Sequence, residues 1–285
     1  MDSLINALFQ MLSFGSIMVL VVLGLGVIAS MMGIFNFAQG EFVLLGAYVT
    51  YFVHSLGIPA AIGMLVAPFV VGGFGFVLER TVVHRFYNAP VAAMLGTYAL
   101  GVIIREIVRG LIGGLYLSVP EPIAGYVTVG KLHFSSWLCV TIIVNALVMI
   151  CSYVLLAHTS FGLRVRASLE NPALARASGI STAKIYSLTF ALGAALSGLA
   201  GALIVPLFSL FADLGIRFLI QGFIAVLVGG VGSFAGPIAG AGAMGAFSSA
   251  LPWLISPVIA DVLVLAAAIT FMKFRPQGLI WGRGI

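Results

Sequence analysis

Few residues of this 285-residue chain have the types and spacing that covalent chemistry requires. Gly240-Ala-Gly-Ala-Met-Gly245 matches the glycine pattern of dinucleotide-binding turns letter for letter. No soluble strand precedes it and no acidic residue follows in a βαβ unit, so its small residues are expected to permit close helix packing instead. His54, His84, His133 and His158 fall in different connections without metal-ligand spacing or paired cysteines, which argues against a metal site. Cys139 and Cys151 lie on one expected helix, about 18 Å of rise apart, too far for a disulfide. No Gly-x-x-x-x-Gly-Lys-[Ser/Thr] phosphate loop occurs, so this chain is not expected to hydrolyse ATP itself. No nucleophile–base pair stands out, and no catalytic residue, metal or cofactor is expected. What remains are isolated polar groups in apolar surroundings, chiefly Glu41, Asp261 and the trio Arg105, Glu106 and Arg109. A charge at the centre of a membrane helix costs about 2.5 to 3.5 kcal/mol on insertion scales, so each must either serve a function or find a partner. Glu106 and Arg109 have the i, i+3 spacing of an ion pair, and Gln221 is expected to hydrogen-bond across helices.

The elements that would hold these groups follow from composition. Hydrophobic residues make up 62% of the chain and charged residues only 7%, and the mean hydropathy is +1.22. A soluble domain carries about a quarter charged residues, so this chain has too little polar surface to face water on all sides. At roughly 20 residues per span there is room for about eight to ten transmembrane helices. The expected fold is all-α, a polytopic transmembrane helix bundle with broken helices, in one membrane domain over residues 1–285. Nine apolar runs fall at about 4–30, 39–53, 58–78, 91–112, 137–157, 185–208, 215–228, 238–251 and 258–272. The first is read as a permanent span, long enough to tilt or to hide an interfacial helix broken near Gly15.

The net charge of +5 comes from basic residues scattered between apolar runs, not from a patch with interleaved aromatics, so no nucleic-acid partner is expected. Arg80, Arg85, Arg164, Arg166, Arg176, Lys184, Lys273, Arg275 and Arg283 fall on one side of the bilayer under this topology. Arg105, Arg109, Lys131 and Arg217 fall on the other. The larger group marks the cytoplasm by the positive-inside rule and places the C-terminus there. Residues 113–136 then form an irregular external loop with Pro120 and Pro122, and residues 158–184 a cytoplasmic one.

Two places carry helix-break signals. Asn36 followed by Gln39 is a capping-box pattern between two apolar runs with no hydrophilic loop, so a helix is expected to restart there within the membrane. Backbone groups freed by such a break must be buried in protein or face a wet cavity, which is how transporters build solute sites. Glu41, in the first turn of the restarted helix, suits either a solute's ammonium or simple capping. Gly33-Ile34-x-Asn36-Phe37-Ala38 is echoed by Gly230-Val231-x-Ser233-Phe234-Ala235, and paired interruptions in two halves of a transporter point to the path.

The cytoplasmic segment is punctuated at both ends. Asn171 is a good N-cap, Pro172 suits the first helical position, and Gly179 suits the left-handed residue past the end. The short helix between them either docks on a cytoplasmic partner, framed by Glu170 and Arg176, or lies on the membrane with its arginines near anionic lipid.

The segment resembles the cytoplasmic loop of bacterial ABC importer permeases of the branched-chain amino acid type. It carries Arg166-Ala167, Glu170-Asn171, Ala175-Arg176 and Gly179-Ile180 ahead of Ser187-Leu188-Thr189-Phe190. The same family is suggested by Gly33-Ile-Phe-Asn-Phe-Ala-Gln-Gly-Glu41, Gly46-Ala47-Tyr48, Gly229-Gly-Val-Gly-Ser-Phe-Ala-Gly-Pro237 and Arg275-Pro-Gln-Gly-Leu279. Position 39 is Gln where many members have His, so no titratable group stands there. The resemblance implies a multi-pass permease of the bacterial inner membrane, working with ATP-binding cassette subunits, a second permease subunit and a periplasmic solute-binding protein. Arg166, Glu170, Asn171, Arg176 and Gly179 would couple to the ATPase. Asn36, Gln39, Glu41, Ser233 and Gly236 would line the translocation path. Branched-chain or related amino acids are the expected cargo. Urea, amides or another small solute, a sugar-type ABC permease, and an ATP-independent channel or secondary carrier are the alternatives.

Overall fold

The computed structural model describes residues 2–87, 89–129, 132–230, 235–251, 255–275 and 277–280. Every apolar run becomes a helix. They are α1 (Asp2–Met32), α2 (Gln39–Ser55), α3 (Ala60–Thr81), α4 (Pro90–Ile112), α5 (Ser136–His158), α8 (Thr182–Ile204), α9 (Leu214–Gly229), α10 (Ala235–Ala250) and α11 (Pro257–Phe274). Between α5 and α8 lie two short polar helices, α6 (Ser160–Glu170) and α7 (Pro172–Ala177). The chain is thus an all-α, polytopic bundle, and α1 runs through Gly15 without interruption.

Among the described residues, five helices, α1, α3, α4, α5 and α8, are long and apolar enough to cross a bilayer. By contrast, α2 has 17 residues and α9 and α10 have 16 each. At 1.5 Å per residue these cover about 24 to 26 Å, short of a hydrocarbon core of about 30 Å. The shortfall arises because the helix is interrupted between α1 and α2 and again at Gly230, each inside an apolar stretch. Gly33 and Gly230, the glycines of the matched motifs, sit at these interruptions with φ of +68° and +99°, which only glycine adopts cheaply.

Helix α8 forms the centre. Glycines let its backbone approach α2: a Cβ on Gly201 would lie 1.8 Å from the Val43 carbonyl oxygen, and one on Gly46 would lie 2.0 Å from that of Gly198. Phe42 of α2 and Phe190 of α8 meet edge to face with ring centroids 5.8 Å apart, and both are fully buried. The glycine pattern in α10 packs as expected. A Cβ on Gly240 would meet the Ala225 carbonyl oxygen of α9 at 2.0 Å, and one on Gly245 would meet Gly15 of α1 at 2.5 Å. Outward faces carry Phe69, Leu95, Leu111 and Leu147, all strongly exposed, as lipid contact requires. Cys139 and Cys151 are both free thiols on α5.

The segment 113–136 is not irregular throughout. Tyr126–Val129 and Leu132–Ser135 form an antiparallel hairpin, β1 and β2, with Tyr126 opposite Ser135. Phe134 packs on Phe9 with tilted rings, centroids 4.4 Å apart, seating the hairpin against the start of α1. Leu117 exchanges two backbone hydrogen bonds with Leu210, at 2.9 and 2.8 Å, which tie this segment to the connection between α8 and α9.

Candidate functional site

The first interruption, residues 33–38, is held by side chains from three helices. The Asn36 Oδ1 accepts from the Ala38 amide at 3.0 Å, and its Nδ2 donates to the Gln39 Oε1 at 3.0 Å. Gln39 Nε2 donates to the Gly193 carbonyl at 3.1 Å and to the Ser197 hydroxyl. Thr97 of α4 accepts from the Phe37 amide at 3.1 Å. The restart is therefore within the bundle: Gly193 is the twelfth of the 23 residues of α8. The capping box forms in altered shape. Ala38, not Asn36, occupies the N-cap, and no side-chain bond closes it. Asn36 and Gln39 bond to each other and to neighbours, and so build the break.

Glu41 sits in the first turn of α2 and is 2% exposed. Its partner is Arg105 of α4, with Nε 3.9 Å from Oε1, while Oε2 has no hydrogen-bond partner. From there an alternating chain of charge runs outward. Arg105 lies 4.0 Å from Asp213, Asp213 binds Arg109 at 2.7 Å, and Arg109 binds Glu106 at 2.6 Å. The Glu106 and Arg109 pair is thus as the spacing predicts, but Asp213, which immediately precedes α9, is the hub that sequence reading missed. An acid beside a short apolar helix, in a chain with only eight acids, was the available signal. Backbone contact brings Gly215 against Gly40, where a Cβ on either would lie 2.4 Å from the other's carbonyl oxygen. The starts of α2 and α9 therefore meet at this charge cluster.

The end of α9, at Gly229 and Gly230, is held differently. The Leu279 and Ile280 amides donate to the Val228 and Gly229 carbonyls at 2.8 and 3.1 Å, so the Arg275-to-Leu279 motif caps the end of α9. Gly236 is buried in α10 against Gly229, where a Cβ on Gly229 would lie 2.0 Å from its carbonyl oxygen. Ser233 and the side chain of Asp261 lie outside the described residues. Among the described residues Gln221 finds no partner for its Oε1, contrary to expectation.

In the α6 and α7 segment the predicted punctuation is present. Asn171 Oδ1 accepts from the Leu174 amide at 3.0 Å, and Pro172 opens α7. Gly179 has φ +83°. The Ile180 amide reaches the Ala175 carbonyl and the Gly179 amide the Arg176 carbonyl, both at 3.0 Å, which is a complete Schellman end. Glu170, Asn171, Leu174, Arg176 and Gly179 are all exposed, and Leu174 is 64% exposed in a helix of six residues. Arg176 folds back on the Pro172 carbonyl at 3.2 Å. Arg166 is different: it turns inward and donates to the Leu156 carbonyl at 2.5 Å, satisfying the end of α5. It braces the segment and is not on the exposed face. Asn171→Ala is expected to cost α7 about 1 kcal/mol, read as roughly fivefold faster amide exchange over residues 174–178, with α8 unchanged.

Comparison with known proteins agrees with this architecture. The model of the family described as branched-chain amino acid transport system / permease component matches residues 7–272. The high-affinity branched-chain amino acid transport system permease protein LivH of Salmonella typhimurium is 24% identical, covering 97% of this chain and 95% of that protein. The probable branched-chain amino acid transport permease protein LivH of Methanocaldococcus jannaschii is 28% identical over 93% of this chain and 89% of its own length. BraD of Pseudomonas aeruginosa is 24% identical over 94% and 93%. With five span-length apolar helices and a match over nearly its full length, this multi-pass membrane protein belongs to the branched-chain amino acid transport permease family.

Proposed function

We propose that this chain is a membrane-spanning, non-catalytic subunit of an ATP-driven importer that moves branched-chain or related amino acids across the inner membrane. In this reading ATP-binding cassette subunits dock on α6 and α7, which face the cytoplasm together with the C-terminus. A second permease subunit and a periplasmic solute-binding protein complete the assembly. The carrying observation is the α7 face. A six-residue helix, doubly capped and braced by Arg166, presents Glu170, Leu174 and Gly179 with no cover. An isolated helix that short is marginal in water, so a rigid one holding an apolar residue outward suits a docking knob. The path runs along the meeting of α2 and α9, with Glu41 and Gly236 beside the two breaks and Asn36 and Gln39 shaping the first. Ser233 belongs to this path on the motif match alone. The names of the relatives, all branched-chain amino acid transport permeases, support the cargo class.

The test is copurification with the ATPase subunits and uptake in proteoliposomes. Leu174→Asp and Glu170→Lys alter exposed positions and are expected to change stability by no more than about 0.5 kcal/mol. A contact hot spot is worth about 2 kcal/mol or more, so ATPase association should weaken more than tenfold and uptake should fall with it. Unchanged association and uptake would sink the docking assignment.

A further inference from the structure

Glu79 stands in the last turn of α3 and is 1% exposed. Among the described residues it has no cation within ion-pair distance. Its carboxylate instead accepts from two hydroxyls, Tyr87 in the turn between α3 and α4 and Ser187 in α8. Its carbonyl oxygen lies 3.3 Å from the His84 Nδ1. The arrangement continues outward. Tyr87 meets Tyr186 edge to face with centroids 5.2 Å apart, and the Tyr186 hydroxyl donates to the Ser168 carbonyl at 2.8 Å. Ser168 is fully buried in α6, two residues before the exposed Glu170. One hydrogen-bonded and stacked chain therefore joins α3, the 83–87 turn and α8 to the helix that carries α7.

A carboxyl buried among hydroxyls is an expensive way to hold helices together, because an apolar residue would fill the space without desolvating a charge. Its partners on α8 explain the choice of place. The same helix that carries Ser187 and Tyr186 holds Gln39 at the first interruption through Gly193 and Ser197. Movement of α6 thus has a polar, directional grip on α8, and α8 has a polar grip on the break.

We propose that Glu79 is a positioning residue: by accepting from Tyr87 and from Ser187 of α8 it holds Tyr87 against Tyr186, so that displacement of the α6 and α7 segment, received by α8 through the Tyr186–Ser168 bond, passes to the interrupted helix at Gln39. The inference rests on the ATP-driven reading above and adds the route by which the stroke reaches the membrane.

The experiment uses the assembled complex in proteoliposomes with its ATPase subunits and binding protein, and reads solute imported per ATP hydrolysed. Glu79→Gln removes the charge at constant shape, and Tyr186→Phe removes one hydroxyl and keeps the ring. Each is expected to leave ATPase association intact and lower the import-to-hydrolysis ratio by about fivefold, the size of one lost hydrogen bond. The double variant should be no worse than the more damaging single one, since both cut one route. A merely structural role would lower assembly, hydrolysis and import together at an unchanged ratio, and that result overturns the proposal. So does an unchanged ratio in Tyr186→Phe, the variant with the smaller disturbance. Failure of the underlying reading looks different: the unmodified complex would then show no ATP-dependent import or would not retain the ATPase.

Discussion

Arg105→Ala is expected to destabilise the protein by about 3 to 5 kcal/mol, the cost of leaving one member of a buried pair without its partner. Glu41 is 2% exposed, its Oε2 makes no hydrogen bond, and Arg105 is its ion-pair partner among the described residues. Removing the guanidinium also frees one side of Asp213, which then depends on Arg109 alone. Denaturant titration in mixed micelles, followed by helical circular dichroism, measures the loss. The double change Arg105→Met with Glu41→Gln should recover most of it, because replacing both charges removes the orphan. Glu106→Gln is the control: its pair with Arg109 is half exposed, and such pairs are worth about 0 to 1 kcal/mol. A loss below about 1 kcal/mol for Arg105→Ala would mean that Glu41 does not rely on this cation.

Gly201→Val is expected to do comparable or greater harm by a different mechanism. A Cβ there would lie 1.8 Å from the Val43 carbonyl oxygen and 3.0 Å from the Ala47 amide nitrogen, both backbone atoms that cannot swing aside. Inserted methylenes in a packed core cost about 1 to 3 kcal/mol when side chains can adjust, and more where two helix backbones must part. Separation of α2 from α8 would also break the Gln39 bonds to Gly193 and Ser197. The expected outcome is loss of monodisperse protein after detergent extraction. Gly73→Ala and Gly242→Ala have open space at the Cβ position. In a helix they should be neutral or gain up to about 1 kcal/mol. Equal tolerance at Gly201 and Gly73 would refute the backbone-contact account.

The apolar helices of the bundle were legible because each coincides with an apolar run of the sequence, with ends that differ by a few residues. The α7 helix was legible to the residue because Asn171, Pro172 and Gly179 act locally, through bonds no more than five residues long. The break at residues 33–38 announced itself through Asn36 and Gln39. The groups that satisfy it did not: Thr97 lies 60 residues away and Ser197 lies 158 away, each one hydroxyl among many. Glu79 escaped notice because it adjoins Arg80 at a helix end, where charges normally face solvent; its burial comes from Tyr87 and Ser187. The hairpin carried a readable signal in Gly130-Lys131 between runs rich in β-branched and aromatic residues, a pattern that favours a two-residue turn. The surrounding prolines drew the segment into a loop reading. Arg166 has the same side-chain type as Arg176, and only the position of the α5 carbonyls separates the two.

The bonds from Leu279 and Ile280 to the end of α9 bear on the order in which the molecule is made. A carbonyl at Val228 emerges from the ribosome well before its donor, and α10 and α11 must enter the bilayer in between. Until then α9 ends in open acceptors, and Gly278 cannot settle against Gly230. Insertion of α11 therefore sets the earliest moment at which the end of α9 gains its donors. A chain arrested before the α11 step would hold α9 with its last carbonyls still lacking these donors.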